Sequence, residues 1–173
     1  SFFSPLHDAH LPANMDGYYF PGGYPELHAE ALSKNRSLLK EVKKAGTSGK
    51  MILGECGGLM YLGKHITSET GKKFSMAGLF NFATSIKARK LTLGYRKLTN
   101  TSSKNKNPVL FGHEFHYSTF TVNKERTQWT DCHSKKPVVL KDGYRIKNCH
   151  SFYTHIYWAS NKDWLNYLTR PTS

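Results

Sequence analysis

The chain has 173 residues, 38% of them hydrophobic and 13% aromatic, which suits one domain with a substantial core. No run approaches the ~20 apolar residues of a membrane span, no charged-then-apolar opening reads as a signal peptide, and three cysteines without framework spacing (Cys56, Cys132, Cys149) point to a reducing, cytoplasmic compartment. The 25 Lys and Arg against 12 Asp and Glu leave a formal charge of +13, which favours anionic partners, but the basic residues are scattered in small groups that read as solvated surface.

In chain order, SFFSPLHDAHLPAN reads as a loop, with two prolines, no helical period and an abrupt apolar start at Phe2-Phe3, as if a strand began upstream. Tyr18-Tyr19-Phe20 then reads as a strand that breaks into a tight loop at Pro21-Gly22-Gly23. Residues 25–45 carry a helical pattern, with Leu27, Ala31, Leu38, Leu39 and Val42 on one side and Gly46 as the stop. Asn35 interrupts that stripe, so one helix or two joined by a kink fit equally. Met51-Ile52-Leu53 looks like a buried strand and residues 57–63 like the opening of a helix. This alternation predicts an α/β fold with a parallel sheet.

Beyond residue 72 the pattern turns to short β-like pieces, at 80–82, 86–95, 109–111, 115–122, 138–140 and 144–146, with the polar loop TNTSSKNKNP among them. SFYTHIYW is a last apolar run, and NKDWLNYLTR opens on Asn161 as a helix cap. No internal repeat appears, so residues 1–173 are expected to form a single domain.

The stretch MILGECGGLMYLG carries the chemistry. Gly54-Glu55-Cys56-Gly57-Gly58 is the cysteine form of G-x-S-x-G, the sharp strand-to-helix turn that presents a nucleophile above an α/β sheet. The nucleophile takes a strained backbone, and Gly54 and Gly58 are small because strand and helix close on each other there. A thiol at a helix N-terminus is expected to be favoured as thiolate. A nucleophile of this kind needs a base. His155, in SFYTHIYW, sits at the end of an apolar run, the edge of a parallel sheet where ligands bind. His113 and His116 in FGHEFHY compete for the role and are read as sharing one face, with Glu114 on the other. Metal binding by these three is disfavoured, because no C-x-x-C or H-E-x-x-H spacing supports it. The amide N–H groups of Gly23 and Gly57 are candidates for an oxyanion hole.

PGGYPELHAEALSKN, GECGGLMYL, MAGLF, LGYR, GHEFHYS and SFYTHIYW occur in that order. Together they resemble the C-terminal glutamine amidotransferase domain of the cobyrinic acid a,c-diamide synthase family, from about Phe2 to about Trp158. The resemblance implies the flavodoxin-like class I glutamine amidotransferase fold, a central mostly parallel sheet flanked by helices, here lacking its first strand and helix. It implies Cys56 as nucleophile, His155 as its histidine, and the loop at Gly22 and Gly23 as an oxyanion contributor, with Tyr24, Glu114 and His116 lining the site. Tyr157 stands where related triad enzymes carry glutamate two positions after the histidine, so a Cys–His pair is expected with no identified orienting group. Arg96 is expected to stabilise the fold rather than act in catalysis.

The implied reaction is hydrolysis of glutamine to supply ammonia for ATP-dependent amidation of corrinoid carboxylates. ATP and Mg²⁺ would belong to an N-terminal synthetase domain, because the chain has no G-x-x-x-x-G-K-[ST]; GTSGK at 46–50 has the wrong spacing and follows a helix. No cofactor or metal is expected in this chain itself, and a homodimer stays open. Rival readings are a catalytically silent, degenerate amidotransferase-like domain and a basic nucleic-acid-binding module. The second lacks the aromatic-and-basic strand face such modules use, so nucleic acid is not an expected partner.

Overall fold

The computed structural model describes residues 1–100, 109–125, 127–131, 141–161 and 163. Three strands build the part of the fold that holds the site: β1 (Gly17–Phe20), β2 (Met51–Glu55) and β11 (Cys149–Phe152). β2 lies between the other two and is parallel to both, with Phe20 opposite Gly54 and Phe152 opposite Glu55. Their carboxyl ends therefore emerge side by side. Every residue of β11 and all but the first of β2 are buried, as expected of strands covered on both faces.

The eight-stranded sheet continues from β11 through β10 (Lys141–Ile146), β9 (Thr127–Asp131), β6 (Thr92–Asn100), β7 (Val109–His116) and β12 (His155–Ile156). All of these pairings are antiparallel. The parallel portion of the expected sheet is thus confined to three strands. Short connections explain the rest: β10 and β11 are joined by Lys147 and Asn148 alone, which permits a hairpin but no crossover helix. The sheet curls until β12, its last strand, returns to the end of β2, where Ile156 N–H donates to Glu55 Oε1 at 3.1 Å. Leu53, Leu98, Leu110, Phe152 and Ile156 fill the inside of that curl.

The segment from 25 to 47 divides at Asn35, as one of the two expectations had it. A 3₁₀ turn (Pro25–His28) leads into α1 (Ala29–Lys34), and α2 (Arg36–Thr47) follows. The Asn35 side chain accepts from Leu38 N–H to cap α2 and donates to the carbonyls of Pro5 and Asp8, which ties the opening loop down. Leu38, Leu39 and Val42 are buried as expected, but Leu27 and Ala31 are exposed. The 3₁₀ entry and the break shift the helical phase, so Ala29 and Leu32 face the core instead. α3 (Gly57–Leu62) is short and wholly buried.

A second sheet, in the order β4 (Lys73–Ser75), β3 (His65–Thr67), β5 (Phe82–Ser85) and β8 (Thr119–Asn123), packs beside the first. Phe82, Phe120, Tyr144 and Tyr153 interlock there, with ring centroids 5.0 to 5.6 Å apart. The short strands β3, β4 and β9 had no signal in the sequence. Strand β6 starts at Thr92 rather than at 86, and the piece read as 115–122 splits into β7 and β8 at Tyr117-Ser118. Asn161 Oδ1 accepts from Asp163 N–H at 3.1 Å, as a cap does; the rest of that expected helix, the strand at 138–140 and Cys132 lie outside the described residues.

Two predictions follow from this packing. A Cβ added at Gly58 would run into the carbonyl of Phe20. Gly58→Ala should therefore cost about 3 kcal/mol or more of stability in urea unfolding, the upper end for overpacking, because the obstacle is backbone. His150, 1% exposed in β11, is held down to a pKa of about 3 by burial and then by Arg145. Unfolded, it takes up a proton near 6.5, so its contribution is complete above that value and is lost as the pH falls toward 3. Between about pH 7 and pH 5 this histidine alone should remove about 2 kcal/mol, a slope that His150→Asn should flatten.

Candidate active site

Cys56 sits where β2 turns into α3, with φ 47° and ψ −103°, a conformation that a residue with a side chain adopts only under constraint. The constraint is visible. Cys56 N–H donates to Phe152 O at 2.7 Å, and Cys56 O accepts from Met60 N–H, so neighbouring strand and following helix hold the residue on both sides. A Cβ at Gly54 would meet Leu62 and, at 3.1 Å, Gly58; one at Gly57 would lie 2.9 Å from Gly23 N. Pro21 O accepts from Gly58 N–H at 3.1 Å. Gly57 and Gly58 are thus where the elbow touches the backbone of Phe20 and of the Pro21-Gly22-Gly23 loop, with the Gly23 peptide lying against Gly57. Tyr24, just beyond, is half exposed and lines a hollow of about 330 Å³ with Phe3, Tyr19, Gly22, Gly23 and Tyr61.

The expectation of a favoured thiolate is not met in this state. Burial pushes the Cys56 thiol up to about 11, and carboxylates at Glu26, Glu114 and Glu55 push the same way; only the Gly57 N–H opposes them. Desolvation outweighs one turn of helix dipole. The resting side chain is a thiol, with its sulfur 3.9 Å from Phe115 O.

His155 is brought to the elbow by the curl of the sheet, not by a parallel strand. β11 ends at Phe152, Tyr153-Thr154 turn the chain, and His155 starts β12 opposite His113 of β7. Its ring stacks on His113 with centroids 4.9 Å apart and covers Gly22, where a Cβ would strike it. Burial, then His113, lower its pKa, so it is neutral at pH 7. Among the described residues the ring takes no hydrogen bond, and Tyr157 is exposed. What fixes the imidazole is backbone anchoring. Buried Asp142 accepts from Tyr153 N–H, Thr154 N–H and Thr154 Oγ1 at 2.8 to 3.0 Å, immediately before His155. Buried Glu55 accepts from Ile156 N–H immediately after it, and from the Tyr19 hydroxyl. Sequence reasoning marked Glu55 only as an elbow residue and missed Asp142, which carries no motif.

The β7 residues need a correction. Strand alternation puts Glu114 and His116 on the buried face and His113 on the exposed one, so the two histidines do not share a face. Glu114 is ion-paired with buried Arg96, whose Nη2 is 2.6 Å and Nε 2.8 Å from the same oxygen. His116 stacks on Tyr153 at 4.0 Å, and its Nδ1 donates to Ser118 O. Arg96 is the structural residue expected of it, and a metal site of His113, Glu114 and His116 cannot assemble. Nor do residues 46–50 fit a nucleotide phosphate. They close α2 and lead into β2, so a helix C-terminus, its carbonyls taken up by Ser48, Gly49, Lys50 and Lys147, stands where a phosphate loop needs helix N–H groups.

Residues 1–163 match the family model described as the CobB/CobQ-like glutamine amidotransferase domain. The chain belongs to that family. It is 40% identical over 172 residues to a cobyrinate a,c-diamide synthase of Leptospira interrogans and 36% identical over 157 residues to one of Caldanaerobacter subterraneus. These alignments span 92% and 89% of the chain but only 36% and 35% of those proteins. A hydrogenobyrinate a,c-diamide synthase of Rhizobium meliloti is 42% identical over 119 residues, 69% of the chain and 28% of that protein. A crystal structure of a glutamine amidotransferase shares the fold, with a TM-score of 0.64 at 16% identity over 90% of this chain and 78% of that one. The class I amidotransferase fold read from the sequence is therefore the fold of this family member.

In this amidotransferase domain Asp142→Ala would strand two buried N–H groups and a hydroxyl. We expect a loss of about 2–4 kcal/mol in urea unfolding, together with slower modification of Cys56 by glutamine analogues, since the segment that carries His155 loses its anchor.

Proposed function

We propose that the chain is a glutaminase that works through a Cys56–His155 pair and delivers ammonia to a synthetase domain. The observation that supports this best is a strained cysteine whose neighbour Gly57 lies against the Gly23 peptide, while the His155 ring covers Gly22 of the same loop. As the sulfur attacks the side-chain carbonyl of glutamine, His155 takes the thiol proton, so the nucleophile need not be ionised beforehand. The amides of Gly23 and Gly57 hold the oxyanion of the tetrahedral intermediate. His155 then gives the proton to departing ammonia and leaves a glutamyl thioester. Water, deprotonated by the same imidazole, releases glutamate and restores the thiol.

The chain spans about a third of the length of its curated relatives, so the fate of the ammonia rests on their names. We read it as amidation of corrinoid carboxylates, cobyrinate or hydrogenobyrinate, at the expense of ATP and Mg²⁺ held by an N-terminal synthetase domain. The proposed location is the cytoplasm; no described helix is long and apolar enough to cross a membrane.

A diazoketone analogue of glutamine, read by intact mass, tests the glutaminase. One adduct at Cys56, blocked by glutamine, absent in Cys56→Ser and slowed at least about a hundredfold in His155→Ala, is the expected result. A folded protein that takes no label would mean a silent domain that has kept the elbow as scaffold.

A further inference from the structure

Three carboxylates bear on the Cys56 thiol, and Glu26 does so more strongly than Glu114 or Glu55. The other two have structural employment: Glu114 holds Arg96, and Glu55 holds Tyr19 and Ile156. Glu26 has none of this kind. It lies in the 3₁₀ turn that follows the Pro21-Gly22-Gly23 loop. Its own backbone N–H bonds the carboxylate, but Oε2 is buried with no hydrogen-bond partner among the described residues. Arg89 reaches it only at a distance, and that guanidinium already lies 3.0 Å from Glu69.

A half-buried carboxylate with an empty acceptor is costly to keep, more so beside a group that must become anionic. A cationic ligand relieves both costs. If the domain is a glutaminase, as read above, its substrate brings an ammonium at the end away from the reacting amide. We propose that Glu26 binds the α-ammonium group of glutamine and so sets a preference for glutamine over carboxamides that lack it. The same contact couples binding to chemistry. Neutralising Glu26 removes a negative charge that opposes ionisation of Cys56, so the thiol becomes easier to deprotonate when an amino acid, rather than a bare amide, fills the site.

The test compares glutamine with glutaramate, the same molecule without the amino group, in the intact protein and in Glu26→Gln. Wild type should hydrolyse glutamine with a kcat/KM at least roughly tenfold above that for glutaramate. Glu26→Gln should lose most of that preference, through a higher KM for glutamine and a kcat/KM for glutaramate raised above that of wild type, because the charge opposing Cys56 ionisation is gone. With no substrate present, iodoacetamide should alkylate Cys56 faster in the variant, with a lower pH midpoint, because the opposing charge is gone. A merely structural Glu26 would depress both substrates alike and slow alkylation. A preference unchanged in the variant, or a wild type that takes glutaramate as readily as glutamine, overturns the proposal even if the variant folds poorly. Wild type inactive on both substrates would remove the glutaminase reading itself, and this inference with it.

Discussion

The site depends on two stretches of backbone meeting with no side chain between them. The carbonyl of Phe20 faces Gly58, and the peptide of Gly23 lies against Gly57. Each contact is closer than a Cβ on the elbow residue allows, which is why glycine stands at 57 and 58; in the loop, Gly22 is required by the His155 ring, while a Cβ at Gly23 would meet nothing. Because the approach is backbone to backbone, the amides beside Cys56 are set by the sheet and not by rotamers. Such pre-organisation lets dipoles meet a developing oxyanion without rearranging. Parallel pairing of β1 with β2 makes it possible, since both chains arrive at the same edge and turn there together.

Charge around the thiol is arranged against the resting nucleophile. Burial and three acidic groups keep Cys56 protonated, while burial and His113 keep His155 neutral. A neutral thiol and imidazole cost far less to bury than a thiolate–imidazolium pair. The thiol and the imidazole are thus both held uncharged by the same burial. Buried thiols are also poor targets for oxidants, which act on exposed thiolates.

The first third of the chain, up to residue 63, was legible because its signals are local. An apolar strand, a glycine-bounded cysteine and a capped helix each announce themselves within a few residues, and Asn35 marked the break between α1 and α2. The rest was less so. β3 and β4 are three-residue strands that pair with each other, and β9 is set between β10 and β6, pairings too short or too tertiary for propensity to record. His155 was found by its place at the end of an apolar run, yet it reaches the elbow by the curl of an antiparallel sheet. Asp142 carries no motif and Glu26 stood out only as part of PGGYPELH, because what marks them is tertiary: two backbone N–H groups on one carboxylate, and a buried oxygen without a partner among the described residues on the other.

The clasp of Asp142 on Tyr153 and Thr154 also sets an order in time. A ribosome releases the elbow long before it releases β10, β11 and β12, and a nascent chain can pair β1 with β2 and seat α3 while the histidine is still unmade. During that interval the chain has Cys56 without His155, so on the glutaminase reading proposed above glutamine cannot be turned over. The proposed pair is complete only when β10 has delivered the Asp142 carboxylate and the last strand has returned to the end of β2. Ammonia release, as proposed, would thereby be tied to completed synthesis of the domain, and a polypeptide stalled or cut before β12 would carry the whole elbow without its histidine.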